Sequence, residues 1–133
     1  LDLAGVSIPK DIQGESFKKQ LYGKRYKGRD AVYYHYYEYP FWHKVQPHYG
    51  VSTGKYKLIH YYYDMDEWEL FDLEKDKNEM QNLYGKPGYE KITMNLKQKI
   101  KALQKQYKDD MSLEEMRAMT DMVVKRVYSE RNN

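Results

Sequence analysis

The sequence predicts an α+β fold, in which a small antiparallel sheet of about three or four strands packs against a long amphipathic helix, followed by a helical C-terminal extension. Three β-favouring runs come first along the chain, at 30–39, 51–63 and 68–73, and the first two are rich in tyrosine. Helical periodicity then begins at residue 89 and continues almost to the end. Strand-forming segments followed by helix-forming segments are typical of this fold class.

The second and third runs predict a β-hairpin. Side chains of Val51–Tyr63 alternate between two faces, and Trp68–Leu73 repeats the alternation after a short polar turn at Asp64–Glu67. We therefore expect Val51–Tyr63 to form one long strand that pairs with the following strand in antiparallel fashion.

The first run, Asp30–Tyr39, carries aromatic residues on both faces, which predicts a central strand. Pro40 ends this run, and Pro40–Tyr49 is predicted to be a loop bounded by two prolines. Ahead of the sheet, Leu1–Gly5 is typical of a helix end closed by a glycine, and Ser16–Tyr22 predicts a short helical turn within a basic connector.

Two amphipathic helices are predicted after the sheet. Apolar residues at steps of three and four indicate a helix over Tyr89–Tyr107, with one stripe on the sheet and its lysines facing water. Ser112 and Glu115 have the spacing of a capping box, which predicts the start of the second helix.

Composition limits the classes of protein that fit. The 133 residues suit about one domain of roughly 150 residues. There is no cysteine, which excludes disulfides and cysteine-based metal or nucleophile sites. No apolar run approaches the roughly 20 residues of a membrane span. With 16 tyrosines and three phenylalanines, the core is expected to contain rings whose hydroxyl groups need partners.

The hairpin and its continuation carry a family resemblance. Tyr56–Ile59, then Glu69–Leu73, and then Asp76, Glu79, Asn82 and Leu83, are similar to the C-terminal signature of type I sulfatases, the formylglycine-dependent arylsulfatase family. The opening residues resemble the segment that leads out of the catalytic domain in that family, over Leu1–Val6, Ile8–Pro9 and Ile12–Phe17. The resemblance covers roughly residues 1–107. It departs from the family at Ser52 and Lys55, where arginines are common, and at Lys77, where proline is common.

The resemblance implies a division into three parts. Residues 1–29 would be the end of the catalytic domain and a connector, 30–108 the C-terminal α+β subdomain, and 109–133 a helical extension. Such a subdomain would complete a sulfuric ester hydrolase, possessing no catalytic residue itself and lining one side of the cleft for a sulfated carbohydrate. Calcium and formylglycine would belong to the missing N-terminal catalytic domain, which would be the partner of this chain. A periplasmic or secreted location is implied by the family alone.

The segment Ser7–Pro9 imitates the start of the Cys/Ser-x-Pro-x-Arg nucleophile motif of sulfatases. Asp11 stands at the arginine position, and the setting is a loop that follows a helix end, so we interpret the match as coincidence. The sequence therefore predicts no catalytic residue in this chain.

The proline-bounded loop holds the candidate substrate-binding residues. By the resemblance, His48 is expected to touch a sugar hydroxyl or a sulfate, with Trp42, His43 and Lys44 as neighbours. Aromatic planes stack on sugars, and lysine or protonated histidine suits a sulfate anion. The alternative is that these are exposed loop residues, or that His48 bonds a nearby carbonyl.

No metal site is expected. His35 and His60 lie inside predicted strands, where we interpret them as hydrogen-bonded sheet residues. The acidic residues of the 64–69 segment lack the fixed spacing of a calcium loop and predict a solvated turn.

A second class of function stays open, namely a stand-alone module that binds a protein or single-stranded nucleic acid. Tyrosines could stack on bases and lysines could follow phosphates. However, the lysines lie on the predicted helix while the rings fill the strands, and no nucleic-acid motif is present. The sequence therefore favours no nucleic-acid partner.

Overall fold

The computed structural model describes residues 1–23, 25, 28–41 and 43–131, with the backbone alone at 131. The chain divides into two compact units, Leu1–Asp30 and Ala31–Asn133. The first unit contains a 3₁₀ turn, Asp2–Ala4, which Gly5 ends in the left-handed conformation, and the short helix α1, Lys18–Leu21. Both features confirm the prediction for this segment. Asp2 joins them, since its carboxylate accepts hydrogen bonds from Ser16 and Lys18.

The second unit is built on a four-stranded antiparallel sheet in the order β1-β2-β3-β4. This confirms the α+β prediction. The strands are β1 (Val32–Tyr36), β2 (His48–Ser52), β3 (Tyr56–Tyr61) and β4 (Glu67–Asp72). Two helices follow, α2 (Glu90–Tyr107) and α3 (Leu113–Arg131).

The prediction of one long strand over Val51–Tyr63 was wrong. A tight turn divides this segment into the end of β2 and the whole of β3. In that turn the Thr53 hydroxyl donates to the Tyr56 carbonyl at 3.0 Å, and the Tyr56 amide donates back to the hydroxyl at 2.9 Å. Threonine and Gly54 supply turn chemistry that the surrounding β-favouring residues masked.

The prediction that Asp30–Tyr39 forms a central strand was also wrong, because β1 is an edge strand paired only with β2. Its rings lie on both faces because each face is covered separately. Tyr33 packs on the core, whereas Tyr34 crosses over Gly50 of the neighbouring strand. The predicted loop ends earlier than expected, since His48 and Tyr49 already belong to β2.

One face of the sheet forms the core with the helices. Val51, Leu58 and Leu70 are fully buried, and Leu96 and Ile100 of α2 pack against the same cluster. Burying one such side chain contributes about 1.5–3 kcal/mol. This confirms the apolar stripe predicted for the first helix.

Helix α3 begins with the predicted capping box. The Ser112 amide donates to the Glu115 carboxylate at 2.7 Å, and the Glu115 amide donates to the Ser112 hydroxyl at 3.2 Å. Met116 and Val127 of this helix are buried. None of the helices in the described ranges has the length and apolar character that crossing a bilayer requires.

Gly50 is required where Tyr34 crosses β2. A Cβ atom at this position would lie 2.5 Å from the Leu58 carbonyl oxygen and 2.6 Å from the Tyr34 hydroxyl. Gly50→Ala is therefore expected to lower the free energy of unfolding by about 1–3 kcal/mol, since the backbone of β3 cannot move away without breaking the sheet. Urea denaturation followed by circular dichroism measures the change.

Gly54→Ala is the matched control for this substitution. Gly54 lies in the adjacent turn and its added Cβ would meet nothing within 4 Å. We expect a change of less than about 0.5 kcal/mol. Equal effects of the two substitutions would contradict the steric argument.

Candidate functional site

His48 opens β2 and points to the sheet face opposite the core, because it alternates with the buried residues Tyr49 and Val51. Its direct cross-strand partners are Tyr36 on β1 and Tyr61 on β3. The ring of His48 stacks on Tyr36 with centroids 5.4 Å apart, and the Tyr61 ring lies 5.2 Å away. The Tyr34 ring approaches edge-on at 6.1 Å. We call these four residues the tyrosine face.

The hydrogen bond of His48 determines which of its nitrogens is available. Nδ1 lies 2.8 Å from the carbonyl oxygen of Gln46. Because a carbonyl can only accept, Nδ1 carries the proton, and Nε2 is the acceptor of the neutral ring. The carbonyl contact considered as an alternative for His48 is therefore present, but it uses only one nitrogen. Nε2 can accept from a sugar hydroxyl or, once protonated, donate to a sulfate oxygen.

Two hydroxyl groups of the tyrosine face are buried without a hydrogen bond among the described residues, namely those of Tyr34 and Tyr36. Burial raises the pKa of Tyr34, so its phenol keeps the proton and remains a donor. Buried polar groups nearly always have a partner, so this pair is exceptional. Sequence reasoning missed these residues because rings in a strand were interpreted as core.

The other predicted site residues are less well placed. His43 and Lys44 are exposed in the loop before β2, and no hydrogen bond or ring contact joins either to His48 in the described part of the chain. Trp42 lies outside the described residues. The roles of His43, Lys44 and Trp42 stay predictions.

The two histidines of the core face are hydrogen-bonded sheet residues, as predicted. His35 donates from Nδ1 to Asp109 at 2.8 Å and accepts at Nε2 from the Tyr62 hydroxyl, which lies 2.9 Å away. Burial raises the pKa of Tyr62 to about 12, which keeps this hydroxyl protonated as a donor. Within the described ranges, no group of three or more His, Cys, Asp or Glu side chains could hold a metal ion.

His60 forms the same arrangement. Its Nε2 donates to Asp66 at 2.7 Å, and its Nδ1 accepts from the hydroxyl of Tyr49 at 2.8 Å. The ring stacks on Trp68 with centroids 4.1 Å apart. The ammonium of Lys97 lies 4.0 Å from the Trp68 ring centroid. The prediction that the lysines of this helix face water was therefore wrong for Lys97.

Asp66 is exposed, in agreement with the predicted solvated turn, but its carboxylate also has two hydrogen-bond partners. Besides His60, its carboxylate accepts a hydrogen bond from Arg117 of α3 at 2.8 Å. These hydrogen bonds hold the pKa of Asp66 below its usual range. The acidic turn is thus linked to the last helix of the chain.

The burial of His60 predicts an acid-sensitive fold. Burial lowers the pKa of His60 below its usual 6.5. The pKa of His60 is therefore lower in the folded state than in the unfolded state. The contribution of neutral His60 to the free energy of unfolding is fully present above pH 6.5 and is lost as the pH falls through the folded-state pKa. We expect the free energy of unfolding to decline between pH 7 and about 5, and to decline less steeply in His60→Asn. Urea titrations at several pH values measure both slopes.

His43→Asn provides the control, because this histidine is exposed on the loop. In His43→Asn the free energy of unfolding should fall with pH as steeply as in the unmodified protein. A wild-type slope in His60→Asn would show that another group causes the acid sensitivity.

The comparison with protein families gives the class of this chain, the C-terminal portion of a sulfatase. The family model of N-sulphoglucosamine sulphohydrolase, C-terminal, matches residues 1–106. The chain therefore belongs to this family, which confirms the resemblance found in the sequence.

Individual relatives agree with this assignment. An N-acetylglucosamine-6-O-sulfatase of Bacteroides thetaiotaomicron is 50% identical over 113 residues, which cover 83% of this chain and 20% of that protein. A Delta 4,5-hexuronate-2-O-sulfatase of the same organism is 34% identical over 96 residues, covering 68% of this chain and 19% of that protein. A solved structure, described as a complex with its substrate D-glucosamine-2-N,6-O-disulfate, matches with a TM-score of 0.78 and 48% identity, covering 85% of this chain and 24% of that one. The chain thus spans about a fifth to a quarter of the length of the relatives it matches.

Proposed function

We propose that the chain is the C-terminal portion of a sulfatase, a sulfuric ester hydrolase that acts on a sulfated carbohydrate of the glucosamine class. The observation that carries the proposal is the family match over residues 1–106. Two relatives support the substrate class, since one is an N-acetylglucosamine-6-O-sulfatase and the other was solved with a disulfated glucosamine. The alternative, a stand-alone binding module, gains no support from these matches. A periplasmic or secreted location is part of the proposal through the resemblance alone.

In this proposal the chain completes the fold and lines one side of the substrate cleft through the tyrosine face. His48 would contact the substrate through Nε2, because Nδ1 is held by the Gln46 carbonyl. Tyr36 of β1 and Tyr61 of β3 flank the His48 ring and hold it on the sheet face away from the core, which supports this role. His43 and Lys44 would add positive charge near a sulfate.

The chemistry of sulfate transfer would take place outside this chain. By the family resemblance, formylglycine and calcium belong to an N-terminal catalytic domain, which would be the principal partner. The described residues do not fit a metal ion, since they hold no suitable cluster of His, Cys, Asp or Glu. Their contribution is to bind and orient a sugar next to the reacting groups.

The proposal predicts sulfate release by the complete protein that carries this chain. Purified protein is incubated with glucosamine 6-O-sulfate, glucosamine N-sulfate and a sulfated uronic acid, and free sulfate is measured by ion chromatography. We expect release from at least one of the glucosamine substrates. Release from the uronic acid alone would overturn the substrate class, and release from none of the three would overturn the proposal.

Substitution of His48 tests its contact with the substrate. Asparagine can keep a donor near the Nδ1 position but has no atom at Nε2, whereas glutamine reaches the Nε2 position. We expect His48→Asn to lower kcat/KM roughly 3- to 100-fold, the range for one hydrogen bond to a neutral or charged group. His48→Gln should retain more activity.

Thermal unfolding of both variants is measured alongside the kinetics, because His48 also packs on Tyr36 and Tyr61. Both variants should unfold near the temperature of the unmodified protein. Unchanged kinetics in His48→Asn would remove His48 from the substrate site.

A further inference from the structure

The turn between β3 and β4, residues 62–66, holds both ends of the loop that leads to His48. At the start of the loop, the Tyr39 hydroxyl donates to the Asp64 carboxylate at 2.9 Å. At its end, the side-chain amide of Gln46 donates to the same carboxylate at 2.9 Å, and the Tyr62 amide donates to the Pro47 carbonyl at 3.2 Å. The position of the turn therefore determines the position of the loop ends.

Helix α3, which lies C-terminal to the turn in the sequence, is hydrogen-bonded to the same turn. Arg117 donates from Nε to the Tyr62 carbonyl at 2.6 Å and from Nη2 to the Asp66 carboxylate at 2.8 Å. The Tyr63 hydroxyl donates to Asp121 at 2.7 Å. Three of the five turn residues, Tyr62, Tyr63 and Asp66, thus form hydrogen bonds with this helix.

The helix itself is anchored independently of these polar contacts. Met116 is 5% exposed and belongs to the core cluster, and Val127 is 8% exposed, so α3 buries apolar side chains both near its start and towards its end. An anchored helix can act as a fixed support for a turn, whereas a solvated one could not.

Helix α3 lies beyond the part of the chain that the family model matches, which ends at residue 106, while the loop and the turn lie inside it. The extension therefore touches a family element without belonging to the family pattern. Arg117 and Asp121 of the extension contact the 62–66 turn, which is hydrogen-bonded to both ends of the loop that carries the candidate substrate residues.

We propose that α3 braces the loop before His48, and that Arg117 and Asp121 are positioning residues for substrate binding. This inference rests on the proposed function for its kinetic part. The brace acts through the 62–66 turn, so its loss allows the loop ends at Tyr39 and Gln46 to move and weakens the binding of the sugar. The transfer step itself changes little, because its reacting groups lie outside this chain.

The kinetic test uses Arg117→Ala and Asp121→Ala in the complete protein. We expect KM to rise about 3- to 10-fold with kcat nearly unchanged, as for the loss of uniform binding. Arg117→Lys should recover part of the effect, since lysine can meet Asp66 or the Tyr62 carbonyl but not both in the same geometry. Arg126→Ala is the matched control, because this arginine of the same helix pairs with Glu130 on the surface.

Hydrogen–deuterium exchange gives a readout that does not depend on activity. The Tyr62 amide, which donates to the Pro47 carbonyl, and the Tyr39 amide, which donates to the Tyr37 carbonyl, should exchange faster in Arg117→Ala and Asp121→Ala, and at the unmodified rate in Arg126→Ala. Should Arg117→Ala fail to fold, Tyr63→Phe removes the contact with Asp121 by deleting one oxygen and decides the question. An unmodified exchange rate in the folded variants would overturn the brace.

The two proposals can fail separately. Faster exchange of these two amides in a protein that releases no sulfate would keep the brace and reject the enzymatic function. Sulfate release with unaltered KM in both variants would keep the function and reject the positioning role.

Discussion

Leu96 and Ile100 of helix α2 pack against one face of the sheet, and this apolar contact determines which strand residues are buried and which face away from the core. Because strand side chains alternate, burying Val51 and Leu58 under the helix turns His48 and its tyrosine neighbours to the opposite face. The face that carries the candidate site is therefore a consequence of where the helix packs.

The hydroxyl groups of the tyrosines show how differently the two faces are used. On the core face, Tyr49 and Tyr62 each donate to a histidine, which in turn donates to an aspartate. On the opposite face, the hydroxyls of Tyr34 and Tyr36 are buried without a partner among the described residues. The chain itself encloses these two hydroxyls, so their burial shows that the rings of the tyrosine face pack tightly around His48.

The sequence alone located His48 and placed it by resemblance beside a substrate, but it did not predict the rings that surround it. Tyr36 lies 12 residues before His48 and Tyr61 lies 13 residues after it, and only strand register brings them together. The partners of the acidic turn were missed for the same reason. Asp66 is exposed as predicted, but its contact with Arg117, 51 residues away, is invisible to any local pattern.

Local chemistry determined most of the elements. The stripe of α2, the Ser112 capping box and β4 follow from spacings of two to four residues, and the resemblance to sulfatases rests on motifs nearly as short. Tertiary structure alone decided the division into β2 and β3, the edge position of β1 and the contacts of α3. These features depend on strand pairing and on hydrogen bonds between residues that are far apart in the sequence. Local sequence patterns contain no information about such pairings.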